Sequence, residues 1–543
     1  MSGCVPKVLL RRASSFLNSA PWRARGTLSS TLSEPDPLAV DSTLTQAPSP
    51  PAKLKTYEQV PTPLGYPVLG TLPEFVAAGG VQNFHKYAMQ RHRQLGSIFR
   101  ERIGGTDLLF VSDPATVRQV FAAEGPHPQH HIPEAWTLYN QDRRVSRGLF
   151  FMDGEEWKAN RSVLNRRLLR RGCMEPHQRG LAQVADQLLD RWVSRHSGQV
   201  IPDLERQLYH WGIRSLGAMV LGDRTTLLAD PCDDRPSLLD DFSDAIHGIF
   251  RQTCAMGTFP PTLAKKLRLP MWARLADSLD RSLAYGNRLV QEGIAEARRR
   301  QGEGEEAVLL LDQLLQDNVG AEDVARLLTD MFLAAADTTT HTTIWSLYLL
   351  GKHPEAAARI RQEVLDATGG SGDVRLEHLA SLSYLKGVVK EALRLYPVAP
   401  FQTRALATDT NLGGYVIPGG TMVVLSVYAM ARDAAHFSNP DSFCPERWQR
   451  DFSSSACPAN GTSSIPRDSK GRLHSHAFIP FGVGVRSCIG RLVAETQLHL
   501  LLAKLVSRCH LTAVNDVDMV MRMVGVTSEP LKLRIDSIDR PCS

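Results

Sequence analysis

Phe481-Gly482-Val483-Gly484-Val485-Arg486-Ser487-Cys488-Ile489-Gly490 carries more information than any other stretch of this 543-residue chain. A single cysteine stands among glycines, with an arginine two residues before it. Glycines remove side chains where backbone has to lie against a flat group. The apolar run that follows, Leu492 to Ala494 with Leu498 and Leu500 to Leu502, reads as a helix beginning just past Cys488. Its N-terminal amides favour negative charge on the sulfur. These features suit a thiolate ligand to haem iron, with Arg486 turned back to a haem propionate. Such a ligand pushes electron density onto iron and favours O–O cleavage. A buried cysteine in a glycine-rich turn explains the thiol, but not a phenylalanine, an arginine and three glycines at these offsets.

Working outward, 43% hydrophobic and 22% charged residues describe an ordinary globular chain with ample core. Nine scattered cysteines, odd in number and without a C-x-x-C pair, argue against a disulfide scaffold or zinc site and for a reducing compartment. The net charge of +5 has a definite location. Lys7, Arg11, Arg12, Arg23 and Arg25 precede the first acid, Glu34, and the rest of the chain is balanced. This Arg- and Ser-rich, acid-free start, with Val8 to Leu10, Phe16 and Leu17 interleaved, reads as a mitochondrial transit peptide over residues 1–33. A basic tail of no further meaning is the other reading. No run of about 18 apolar residues marks a membrane span, and the balanced remainder gives no reason to expect nucleic-acid binding.

Residues 34–56, with Pro35, Pro37, Pro48, Pro50 and Pro51, read as a linker. Ser97 to Ile103 and Asp107 to Ser112 flank Gly104-Gly105 and predict a β-hairpin. From Asp113 to about residue 396 the pattern is helical, and strands return between Phe401 and Val427. Residues 452–475 form a Ser/Gly/Pro-rich insertion, read as an exposed loop. The segment from Thr258 to Trp272 mixes apolar and basic residues; it suits either a membrane surface or a buried loop.

The decapeptide resembles the haem-binding signature of the cytochrome P450 superfamily, matching at Phe481, Gly484, Arg486, Cys488 and Gly490. The resemblance extends from about Tyr57 to about Arg534. It implies one large, mainly α domain with a smaller β region over residues 57–543, and haem b with Cys488 as the axial ligand. Met331 to Thr340 is a small-residue helix segment ending in an acid and hydroxyls. It resembles the family's oxygen-activation motif, which gives Asp337 and Thr338 the task of proton delivery; Ala335 stands where most members have glycine. Trp157 and Arg161 resemble the family's W-x-x-x-R helix, and Arg404 matches a further contact, so Trp157, Arg161, Arg404 and Arg486 are the implied propionate donors. Glu391 and Arg394 lie at i, i+3. With Arg447 in Phe443 to Trp448 they resemble the buried Glu-Arg-Arg network that locks the cysteine loop.

Lys386 and Lys390, at i, i+4, are ordinary solvated lysines on spacing alone. Their context, Leu385 to Glu391, resembles the mitochondrial branch, where the pair receives an adrenodoxin-like [2Fe–2S] ferredoxin reduced by its NADPH reductase. Arg491 fits that surface, while Leu492 departs from the second basic residue often found there. The stretches Pro128 to His130, Ala135 to Gln141, Gly148 to Met152 and Tyr396 to Phe401 resemble arthropod ecdysteroid 2-hydroxylases of the Shadow type. They fall where the family lines its substrate pocket, Trp136 and Phe401 among them. The resemblance implies an O₂-dependent steroid hydroxylase on the matrix side of the inner mitochondrial membrane, making peripheral contact with it and converting 2-deoxyecdysone to ecdysone. Hydroxylation at C22 or C25, or a detoxifying monooxygenase, is the alternative. A haem-thiolate isomerase or dehydratase, or a haem sensor, needs neither Asp337-Thr338 nor the lysine pair.

Overall fold

The computed structural model describes residues 54–170, 172–222, 237–303, 308–449 and 476–538. The leader, nearly all of the linker and the 452–475 insertion lie outside them. The first helices are α1 (Leu72–Ala77), α2 (Phe84–Leu95), α3 (Pro114–Ala122), α4 (Glu134–Arg143) and α5 (Gly154–Leu168). Then come α6 (Gln178–His196), α7 (Leu204–Val220), α8 (Leu238–Ala255), α9 (Pro261–Lys266), α10 (Pro270–Gly302) and α11 (Leu310–Gln316). The chain continues through α12 (Ala321–Lys352), α13 (Pro354–Ala367), α14 (Ser383–Leu395), α15 (Val427–Met430) and α16 (Arg491–Arg508). α1 and α2 precede the hairpin, ahead of the helical stretch expected from Asp113, and α3 starts after Asp113 for a local reason. The Asp113 carboxylate accepts the Thr116 N–H at 2.8 Å, and Pro114 follows at the first helical position.

The strands are β1 (Ile98–Ile103), β2 (Thr106–Val111), β3 (Gln199–Val200), β4 (Gln402–Ala405), β5 (Thr410–Leu412) and β6 (Tyr415–Ile417), then β7 (Met422–Leu425), β8 (Cys509–Ala513), β9 (Met519–Arg522), β10 (Val524–Thr527) and β11 (Leu533–Ser537). The expected hairpin is present, with Ile103 opposite Thr106 around Gly104-Gly105. The sheet order is β1-β2-β7-β4, and the β2–β7 pair is parallel. That pairing brings residues from opposite ends of the helical body side by side, Leu109 against Val423.

Two large apolar clusters meet along α12. Its first half, Val324 to Ala336, packs with α8 and α10, while Ile344, Leu347 and Leu350 pack with α6, α14 and α16. A helix apolar on nearly every face belongs in a core, and at 32 residues it spans about 48 Å. α16 also joins the clusters, through Val493 to the first and Leu498 to Val506 to the second. The turn before α16 therefore lies where both clusters end. Cys444 is disulfide-bonded, whereas Cys173, Cys254, Cys488 and Cys509 carry free thiols. Among the described residues no helix is long and apolar enough to cross a membrane.

Candidate active site

The signature stretch folds into a turn closed by its own backbone. The Gly482 N–H donates to Ile479, Ser487 to Gly484 and Cys488 to Phe481, at 2.8–3.2 Å. Gly482 and Gly484 have φ of +71° and +78°, a region that strains any residue with a side chain. At Gly484 a Cβ would also come within 2.1 Å of Glu124 Oε1. Gly490 caps α16, so Cys488 sits at that helix's N-terminus. Burial pushes the Cys488 thiol up. The backbone N–H of Gly490 and the charges of Arg161 and Arg491 oppose this and favour thiolate. The Arg491 guanidinium lies 5.7 Å from the Phe481 ring centre.

α5 carries Trp157 and Arg161 one turn apart on its buried side. The Arg486 guanidinium stacks over the Trp157 ring at 4.4 Å. Arg486 donates to the Pro128 and Met152 carbonyls and to Asp153, at 2.7–2.8 Å. Arg404, on β4, is held by Glu124 at 2.8 Å with both side chains buried. Arg404 and Arg161 both act on the charge of Arg486, and Arg161 on that of Cys488, so the implied donors gather around one place. Two further residues stand there, Glu124, which gave no signal in the sequence, and His130, which the sequence marked only as the end of the Pro128 to His130 stretch. Glu124 anchors Arg404 and faces Gly484. His130 is half-buried, its two ring nitrogens are buried without a hydrogen-bond partner, and burial with Arg486 and Arg404 pushes its pKa down to about 4.

Asp337 and Thr338 diverge. Thr338 and Ala334 are accessible in the largely buried middle of α12, and the Thr338 hydroxyl donates to the Ala334 carbonyl at 2.9 Å. Ala335, Ala336 and Ile489, the residue after Cys488, belong to the first apolar cluster. Asp337 turns away into protein and accepts a hydrogen bond from the Tyr209 hydroxyl. Trp136 joins that cluster too, its indole N–H bonded to Thr253 of α8 at 2.7 Å. Phe401 packs elsewhere, 4.6 Å from Phe84 in the cluster behind β1 and β2. The two are not brought into contact.

Glu391 is the most fully satisfied acid nearby. It accepts two bonds from Arg394 at 3.0 and 2.7 Å, and one each from Arg447 (2.9 Å), the Cys444 N–H (3.1 Å) and the Trp448 indole (2.9 Å). Burial raises its pKa, but Arg394, Arg447 and the Cys444 amide outweigh burial and hold it below the ordinary carboxylate value. Above this network, α14 presents Lys386, half-buried, and Lys390, exposed with its ammonium 5.8 Å from the Trp448 ring. Glu495 of α16 pairs with Arg491 at 3.1 Å and also acts on Lys386, so the three basic residues share one face.

The residues around Cys488 fit a haem. The thiol is enclosed by protein yet open to solvent, Ala334 and Thr338 are accessible on α12, and Trp157 Nε1 and both terminal nitrogens of Arg161 have no partner among the described residues. Residues 60–535 match the cytochrome P450 family. The chain is 38% identical to cytochrome P450 315a1, mitochondrial, of Drosophila melanogaster over 505 residues, 90% of each chain. It is 32% identical to the mitochondrial 25-hydroxyvitamin D-1 alpha hydroxylase of Rattus norvegicus over 80% of this chain and 85% of that one. The figure is 28% for the rat mitochondrial 1,25-dihydroxyvitamin D(3) 24-hydroxylase, covering 86% of each. A match of this extent takes in every element that surrounds the cysteine turn, and on it the chain belongs to the cytochrome P450 family, as a haem-thiolate monooxygenase of the mitochondrial type.

Proposed function

We propose that this monooxygenase hydroxylates an ecdysteroid precursor, 2-deoxyecdysone at C2, to give ecdysone. Bound haem supplies oxygen activation and insertion into a C–H bond. The protein's part is divided among named residues. Cys488 is the thiolate ligand, in the turn shaped by Phe481, Gly484 and Gly490. Trp157 and Arg161 donate to a propionate, while Arg486 and Arg404, already oriented by Asp153 and Glu124, add positive charge beside it. Thr338 and Asp337 supply protons. Glu391, Arg394 and Arg447 fix the chain that leads to the cysteine.

The substrate reading rests on one observation. The stretch resembling the ecdysteroid 2-hydroxylases, 135–152, packs with α8, with α12 and with Ile489 beside Cys488 in a single apolar cluster. Trp136, Leu138, Leu149, Phe250 and Met331 give that cluster a partly buried edge. A rigid, mostly apolar sterol suits such a wall, with few polar groups to orient it. Regiochemistry depends on which carbon is held at the reacting position. The vitamin D hydroxylases among the relatives are named for one ring position, 1 alpha, and one side-chain position, 24, and side-chain hydroxylation of a steroid at C22 or C25 is the second reading.

Electrons come from an adrenodoxin-like [2Fe–2S] ferredoxin and its NADPH reductase, docked on Lys386, Lys390 and Arg491. Residues 1–33 direct the chain to mitochondria. Leu263 and Leu267, exposed beside Lys265 and Lys266, rest on the inner membrane from the matrix side. The test is reconstitution with ferredoxin, reductase, NADPH and a panel of deoxyecdysteroids. Ecdysone from 2-deoxyecdysone supports the reading. Turnover only at a side-chain carbon, or none, rejects it and leaves the haem-thiolate assignment standing.

A further inference from the structure

We propose that His341, Glu205 and His247 form a proton-supply line from the surface to Asp337, built where α7, α8 and α12 meet. The proposal rests on the reading of Asp337 as a proton source in the reaction. α12 presents Asp337 and His341 one turn apart, with His341 Nε2 3.6 Å from Asp337 Oδ1. The same nitrogen lies 3.9 Å from Glu205 Oε1, in the first turn of α7. Glu205 Oε1 lies 3.4 Å from His247 Nε2 on α8. Side-chain exposure falls along this path from 36% at His247 and 31% at Glu205 to 4% at His341 and 3% at Asp337. Four titratable groups thus step from solvent to the acid beside Thr338.

A purely structural cluster would close its hydrogen bonds, as Glu391 does with five donors. This one does not. Asp337 Oδ2, His341 Nδ1 and His247 Nε2 are buried without a hydrogen-bond partner, and leaving such groups unpaired costs stability. The separations of 3.4–3.9 Å are ion-pair distances, short enough for a side-chain rotation to bring each pair into bonding range. Tyr209, from α7, donates to Asp337 Oδ1 and keeps that carboxylate turned toward His341. Burial and Asp337 hold the Tyr209 hydroxyl well above the usual phenol range, so it remains a donor to Asp337.

Transfer needs no change of electron count. The N–H bond at His341 Nε2 breaks as an O–H bond forms on the Asp337 carboxylate, which then passes that proton to the reaction side. The Glu205 carboxylate takes a proton from His247 or from water and gives it to the neutral ring at Nε2. Burial disfavours charge on His341, yet Asp337 and Glu205 outweigh it and raise its pKa above 6.5, against the opposing charge of Arg522. Burial lowers His247, opposed by Glu205, Asp337 and Asp244, with His341 adding to the lowering. The inner histidine is thus the one that holds a proton.

The test uses the full-length holoenzyme with ferredoxin, its reductase and NADPH, and compares Asp337→Asn, His341→Gln, Glu205→Gln and His247→Gln. Product per NADPH is expected to fall on the order of 10-fold in Asp337→Asn and His341→Gln. In Glu205→Gln and His247→Gln the solvent deuterium isotope effect should rise and the pH profile of coupling should shift. A readout independent of turnover is the ring ¹⁵N spectrum of histidine-labelled protein in the diamagnetic ferrous carbon monoxide state. The His341 signal should titrate above 6.5 and move when Glu205 or Asp337 is neutralised. If Asp337→Asn uncouples while the other three keep wild-type coupling, isotope effect and pH profile, the supply line is wrong and the role of Asp337 stands. If Asp337→Asn is silent, both fall. Should His341→Gln fail to fold, the two partly exposed residues still decide.

Discussion

At Cys488 opposing influences meet on one sulfur atom. Burial favours the thiol, while the Gly490 amide, Arg161 and Arg491 favour the thiolate. A coordinating metal deprotonates a thiol outright, so the surroundings need only avoid resisting. Cys488→Ser is expected to lose the strongly red-shifted Soret band of the ferrous carbon monoxide complex, read by difference spectroscopy. At Thr338 the hydroxyl is accessible and bonded only to its own helix. Thr338→Ala should still show the substrate-induced spectral shift and consume NADPH, but release more hydrogen peroxide per product formed. At this scale the sequence was most legible where spacing is local, as in the decapeptide and W-x-x-x-R. It was silent on Glu124 and His341, whose surroundings come from segments far apart in the chain. No local pattern marks a residue whose partners are supplied by other helices.

α14 shows how one element serves two demands. Its buried face places Glu391 and Arg394 in the core, and its other face presents Lys386 and Lys390. Removing one member of a fully buried ionic network leaves the remaining charges uncompensated, a loss of about 3–5 kcal/mol. Glu391→Gln strands both Arg394 and Arg447, so denaturant unfolding should register a loss of that order, with haem released at lower denaturant. The lysines belong to a solvated surface, where each pair contributes little and salt screens it. Changing Lys386 and Lys390 to Gln should therefore leave stability nearly unchanged. It should weaken ferredoxin binding and flatten the dependence of that binding on ionic strength, both measurable by titration. The spacing of Glu391 and Arg394 was readable in one helix turn; the Cys444 amide and the Trp448 indole that complete the network were not, because they arrive from a separate turn.

Across the whole molecule, the broad order from β1 to β7 was legible because Asp113, the Gly104-Gly105 turn and the β-branched stretch before Val427 punctuate the chain locally, while α1, α2 and β8 to β11 were not read. The meeting of β2 with β7 was not, since a parallel pair of such sequence separation leaves no periodic trace. The same gap explains Phe401. Sequence resemblance grouped it with Trp136, yet it packs behind the hairpin, while Trp136 sits between α4 and α8. The lysine face belongs to elements of the second cluster and Trp136 to the first, with α12 running through both. Interactions that share no partner contribute independently. Trp136→Ala removes the 2.7 Å bond to Thr253 and a large part of the apolar wall, so KM for the steroid should rise and the substrate-induced spectral shift should need more steroid. Ferredoxin affinity should not change. Combined with the Lys386 and Lys390 changes, the losses in kcat/KM should multiply, adding as free energies within about 0.5 kcal/mol. Coupling well beyond that would mean that steroid and ferredoxin sense each other through α12, and that the two clusters move as one.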